Sequence, residues 1–115
     1  MSVRPLNIDP RDCLIDGRWQ ACESGQTLEL KNPSDGAVLC EIARGSAKDI
    51  NAAVDSATRA LDGPWSSLTA FERGRILVKI GQLVIENADE LARLEALDMG
   101  KPLTQAKADV TALAR

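Results

Sequence analysis

The apolar residues of this 115-residue chain change their period near Gly45, and that change constrains the fold more than any other feature. Upstream of it, Thr27-Leu28-Glu29-Leu30-Lys31 alternates apolar and polar, the period of a half-buried strand. Residues 37–43 return as a second strand, with Val38, Cys40 and Ile42 on one face. Asn32-Pro33-Ser34-Asp35-Gly36 turns the chain between them: Pro33 fixes φ, Asp35 can close an Asx turn, and Gly36 tolerates a left-handed angle. Nearer the start, Cys13-Leu14-Ile15 and Arg18-Trp19-Gln20 flank Asp16-Gly17, which supplies the positive φ angles of a type I′ hairpin turn. Ser24-Gly25 is a further turn signal.

Downstream of Gly45 the pattern is helical. Ser46 and Asp49 form a capping-box pair, and Ile50, Ala53, Val54, Ala57 and Leu61 follow on one face. Gly63-Pro64 stops that helix, with Trp65 placed to cover its end. Thr69 and Glu72 form a second box, followed by Ile76, Leu77, Ile80, Leu83 and Val84; Arg73 and Arg75 are expected to be solvated or paired with acids. Asn87-Ala88-Asp89-Glu90 reads as a third cap, Leu91, Leu94 and Leu97 as the next stripe, and Gly100 and Pro102 as its end. A fourth helix starts near Leu103, with Ala106, Val110 and Leu113 in register. No Gly, Pro or Asn announces its stop, so the expectation is a truncated chain in which Val110 and Leu113 lack part of their partner surface. The expected organisation is an arm over residues 1–11, a β-rich hairpin region over 12–45, and about four α-helices over 46–115.

Composition removes several function classes. The 14 basic residues are scattered and the net charge is −3, so no cluster answers a phosphate backbone. Tyr is absent and Phe occurs once, which leaves little surface for stacking bases; no nucleic-acid partner is expected. No apolar stretch approaches the ~20 residues of a membrane helix, and the first nine residues lack the apolar core of a secretory signal. A cytoplasmic protein with no membrane partner is the expectation. Cys13, Cys22 and Cys40 are odd in number and widely spaced, and there is no His, so neither a disulfide framework nor a zinc site is expected. They read as small strand or loop thiols. Trp19 and Trp65 read as apolar anchors, Asp89, Glu90 and Glu95 as solvated or helix-dipole charges, and Lys101 as a solvated lysine.

Ile15-Asp16-Gly17-Arg18-Trp19, Asn32-Pro33-Ser34-Asp35-Gly36 before a strand, Gly63-Pro64-Trp65 between helices, and Leu97-Asp98-Met99-Gly100-Lys101-Pro102 occur in an order that resembles the aldehyde dehydrogenase superfamily. Arg73-Gly74-Arg75-Ile76-Leu77 fits the same pattern, and the resemblance covers about residues 12–115. It implies an α/β fold, with this region as the first part of a Rossmann-type cofactor-binding domain. It implies an oxidoreductase that converts an aldehyde to a carboxylic acid with NAD or NADP: a cysteine thiolate attacks the aldehyde, hydride passes to the nicotinamide, and glutamate-activated water releases the acid. The family's nucleophile, glutamate base, oxyanion asparagine and oligomerisation hairpin come later in its order. The resemblance therefore assigns no catalytic and no cofactor-binding residue here, and implies that this chain alone is inactive and binds no cofactor, while the family forms homo-oligomers.

One site carries over as implied by the resemblance. Many members hold a monovalent cation between the Asp of the L-D-x-G-K-P motif, main-chain carbonyls near the N-P turn and a later residue. Asp98 matches the first, and the carbonyls around Leu30 and Lys31 match the second. Lys31 stands where the family is usually apolar, so its ammonium must point away. The competing reading makes Asp98 a helix-end residue that bonds the N–H groups of the Gly100-Lys101 turn. Two other functions stay open: a stand-alone helical binding module, and a segment that associates with a full-length dehydrogenase.

Overall fold

The computed structural model describes residues 9–115, which divide into two compact units: 9–31 with Val38–Ser67, and Asn32–Ala37 with Leu68–Arg115. Residues 1–8 of the expected arm, and with them nearly all of the segment read for a secretory signal, lie outside the described residues.

The first unit holds two separate antiparallel strand pairs and two helices. β1 (Asp12–Ile15) pairs with β2 (Arg18–Ala21), with Cys13 opposite Gln20 and Leu14 opposite Trp19. Asp16 at φ 55° and Gly17 at φ 71° make the expected two-residue turn. β3 (Thr27–Lys31) pairs with β4 (Val38–Ala43), and the register slips by one residue at Leu30/Lys31, so that Leu30 faces Cys40 but Lys31 faces Val38. Of the expected buried face of β4, Cys40 and Ile42 are half-buried, but Val38 beside the irregularity is 52% exposed. The Pro10 carbonyl accepts the Ala43 N–H, which ties the described end of the arm to β4.

Helix α1 (Ala47–Leu61) starts at the expected capping box. The Ser46 hydroxyl accepts the Asp49 N–H, and the Asp49 carboxylate accepts the Ser46 N–H at 2.7 Å. Its packing departs from the expectation. The inward residues are Asp49, Ala53 and Ser56, whereas Ile50, Val54 and Leu61 of the apolar stripe are all exposed. The polar residues find partners in the hairpins: Asp49 accepts the Glu23 N–H at 3.0 Å, and Ser56 donates to Asp16 at 2.9 Å. After Gly63 the chain makes one extra turn, α2 (Pro64–Ser67), with Pro64 at its first position, where no N–H is needed. Trp65 lies inside this turn and remains 41% exposed.

The second unit is helical, apart from the Asn32–Ala37 turn. α3 (Ala70–Glu86) begins at its Thr69/Glu72 box. Arg73 is half-buried, and its guanidinium donates to the Leu68 carbonyl at 2.6 Å rather than to an acid. α4 (Ala88–Met99) follows at once. Asn87, read as its cap, makes no side-chain cap bond; its amide donates backward to the Leu83 carbonyl at 2.8 Å, closing α3 instead. α5 (Leu103–Leu113) packs on α4 around Ala92, Ala106 and Val110, with Val84, Ala88, Leu91 and Ala96 at the margin. Alanine side chains at the seam let two helix backbones approach closely. Val110 is thus covered within the unit, contrary to the expected missing partner, whereas Leu113 is 72% exposed.

Candidate functional site

The motif with the most chemistry on it, Leu97-Asp98-Met99-Gly100-Lys101-Pro102, forms the corner between α4 and α5. Gly100 caps α4 in the left-handed conformation, φ 68°, and its N–H bonds the Ala96 carbonyl. A Cβ at this position would lie 2.9 Å from Pro33 Cγ and 3.5 Å from Pro33 Cβ. Gly100 is required here twice over, by its backbone angle and by the close approach of the Asn-Pro turn. Two motifs separated by about 60 residues, each weak alone, therefore share one contact.

The Asn-Pro turn is held from within. Asn32 Oδ1 accepts the Ser34 N–H and Asp35 Oδ1 the Ala37 N–H, each at 2.9 Å, while Gly36 takes φ 74°. On the other side of the corner, Lys101 donates to Glu95 at 2.5 Å and to Asp109 at 2.8 Å. This three-membered cluster corrects the reading of Lys101 and Glu95 as solvated. Its charges support one another: Asp109 and then Glu95 hold the Lys101 ammonium above its ordinary range, and Lys101 holds Asp109 below the usual carboxylate range. Asp89 is also paired, with Lys107 at 2.8 Å.

Asp98 is the next-to-last residue of α4 and is exposed; among the described residues its carboxylate has no hydrogen-bond or ion-pair partner. It does not bond the Gly100-Lys101 N–H groups. Lys31 ends β3, and its ammonium lies 3.4 Å from Glu29 two residues back, drawn along the strand. No group of three or more His, Cys, Asp or Glu side chains among the described residues is placed to hold a metal ion. Carbonyl and carboxylate oxygens are hard donors of the type a monovalent cation takes.

Cys22 is 6% exposed, and the hydrogen it shares with Cys13, followed by burial, pushes its thiol up to about 11. A thiol that holds its proton so firmly is a poor nucleophile near neutrality. What the spacing did not suggest is that Cys13 and Cys22 touch, with sulfurs 2.9 Å apart. The hairpin register contained the signal: Cys13 faces Gln20, and Cys22 is two residues further along the same side.

Two open grooves lie among the described residues. One, in the second unit, is apolar and lined by Leu77, Val78, Gly81, Ile85, Leu113 and Ala114. The other, in the first unit, is polar and bordered by Arg11, Asp12, Ala21, Cys22, Gln26 and Glu41. No described helix is long and apolar enough to cross a membrane.

Comparison with known proteins agrees with the motif geometry. The family model described as "Aldehyde dehydrogenase family" matches residues 19–115. The succinate-semialdehyde dehydrogenase (NADP(+)) GabD of Escherichia coli is 37% identical over 111 residues, which are 96% of this chain and 23% of that protein. A crystal structure of an E. coli NADP dependent enzyme superposes with a TM-score of 0.90 at 36% identity, covering 98% of this chain and 23% of that one. The betaine aldehyde dehydrogenase of Staphylococcus aureus, solved as its Y450L mutant in complex with NAD+, gives 0.84 at 34% identity, covering 88% and 20%. The chain thus spans between a fifth and a quarter of the length of these relatives. With the model matched over most of its length, the chain belongs to the aldehyde dehydrogenase family.

Proposed function

We propose that these residues are the first part of the cofactor-binding domain of an NAD(P)-dependent aldehyde dehydrogenase, and that they serve it as scaffold. The longer protein oxidises an aldehyde to a carboxylic acid as a cytoplasmic homo-oligomer. An N-terminal arm over 1–11 precedes the incomplete domain segment over 12–115, β-rich over 12–45 and helical over 46–115, and the 115 residues alone neither turn over substrate nor hold the cofactor. The observation that carries this reading is the contrast between a family match along nearly the whole chain and apolar faces on α1 and α3 that nothing among the described residues covers. Ile50, Val54, Leu77 and Ile80 are each more than half exposed, a pattern that marks a surface made to be covered.

Incubating the isolated chain with NAD or NADP and a panel of aldehydes tests this directly. No rise in reduced-nicotinamide absorbance is expected, and appreciable turnover would overturn the reading. In the longer enzyme, Asp98 supplies a carboxylate, and the Lys31 main chain a carbonyl, as ligands to a monovalent cation that steadies the scaffold. Asp98→Asn in that enzyme should weaken the dependence of stability on potassium or sodium; an unchanged dependence removes Asp98 as a ligand.

A second reading, a stand-alone module, draws on the closed Ala92/Ala106/Val110 core between α4 and α5. A sharp thermal transition and a monodisperse monomer would favour it. Dye binding and non-cooperative melting would favour the scaffold.

A further inference from the structure

Cys13 and Cys22 form a contact that neither the family match nor the proposed chemistry uses. We infer that they are a modification site: a dithiol that a hydroperoxide converts to an intrachain disulfide, stapling the first hairpin. Their sulfurs lie 2.9 Å apart, and a disulfide bond is about 2.05 Å long, so closure asks for a movement of less than about 1 Å. The hairpin supplies the alignment, because Cys13 on β1 and Cys22 just past β2 fall on the same side of the ladder. Cys13 is half-buried, and Cys22, although more deeply placed, borders the open polar groove beside Arg11, Asp12 and Gln26. A small oxidant reaches Cys13 at its partly exposed surface, while Cys40 on β4 has no sulfur partner among the described residues.

The step balances in two stages. A Cys13 thiol and a hydroperoxide ROOH give a Cys13 sulfenic acid and ROH, as the O–O bond breaks and an S–O bond forms. Contact offsets the firmly held proton: the Cys22 sulfur, 2.9 Å away, passes its proton to the hydroxyl it displaces, an S–S bond replaces the S–O bond, and water leaves. The two thiols together lose two electrons and two protons. The product joins β1 to the segment whose next N–H, that of Glu23, is already bonded to Asp49 at the start of α1. Oxidation would thus lock the hairpin to the first helix.

The test uses the full chain and hydrogen peroxide, with remaining thiols blocked by iodoacetamide before trypsin. Cleavage after Arg11, Arg18, Lys31 and Arg44 puts each cysteine in its own peptide: 12–18, 19–31 and 32–44. The expected product is 12–18 joined to 19–31, lighter than their sum by two hydrogens and lost on treatment with dithiothreitol, with 32–44 alkylated. Chain entropy alone favours closing the shorter 13–22 loop over the 22–40 loop about threefold. The native preference should exceed the ratio measured in denaturant by about tenfold or more. A native ratio equal to the denatured one, or full alkylation of Cys13 and Cys22 under peroxide that oxidises free cysteine, overturns the proposal. Cys40→Ser should leave the 12–18/19–31 product unchanged; its loss in that variant would also count against the site.

Discussion

Helices α1 and α5 carry the same kind of message in sequence and meet opposite fates. Both repeat apolar residues at helical spacing, yet Ala106 and Val110 of α5 are buried against α4, whereas Ile50, Val54 and Leu61 of α1 are exposed. In α1 the side that packs is Asp49, Ala53 and Ser56, fixed by hydrogen bonds to Glu23 and Asp16 rather than by apolar area. Amphipathic spacing states which face of a helix would gain from being covered. It does not state whether a partner is there to cover it.

A charge at equivalent apolar positions separates the two helices most strongly. Val110→Asp should destabilise the α4–α5 pair by roughly 3 kcal/mol or more, because it buries an unpaired carboxylate. Val54→Asp on α1 should stay within about 0.5 kcal/mol, as expected for an exposed site. Thermal melts followed by circular dichroism compare the two, and equal losses would mean that the α1 face is covered after all.

Next in size is the glycine corner. Gly100→Ala combines a left-handed backbone with a Cβ 2.9 Å from Pro33 Cγ, and should cost about 2 kcal/mol. Gly36 has a similar angle, φ 74°, but open space around it, so Gly36→Ala should cost only about 1 kcal/mol. Denaturant midpoints separate the packing contribution from the backbone contribution, and identical values would remove the Pro33 contact from the account.

A smaller effect depends on pH. The Ser46 and then the Glu23 N–H groups hold the Asp49 carboxylate below its ordinary range. A carboxylate lowered on folding contributes stability that is complete above its unfolded value of about 3.9 and fades as pH falls through the lower folded one. The melting temperature should therefore drop on acidification below about pH 4, and Asp49→Asn should lower it at neutral pH while flattening that acid limb. An acid limb of unchanged slope in the variant would assign it to other carboxylates. The smallest effect is expected at Leu113→Ser, within about 0.5 kcal/mol on an exposed side chain.

Much of the local structure was legible in the residues. Asp16-Gly17 specified its turn because two successive positive φ angles admit few other residues. Ser46/Asp49 and Thr69/Glu72 specified helix starts because each side chain bonds a backbone group only three residues away. The third cap misled for the same local reason: Asn87 had two helix ends within reach and bonded the earlier one. Trp65 fell in a one-turn helix because Gly63-Pro64 both stops one helix and starts another. For the candidate site, the motif order identified the corner at Gly100, but not the Pro33 approach or the Glu95–Lys101–Asp109 cluster. These depend on where α4 and α5 bring distant side chains.

The residues alone specified the turns, two of the three helix caps, the strand and helix periods and family membership, all of which rest on interactions within a few residues or on motif order. Tertiary structure alone decided which apolar stripe is covered, which lysine is paired and which two of three thiols meet. Burial and close contact require a second surface, and no local pattern states where that surface lies.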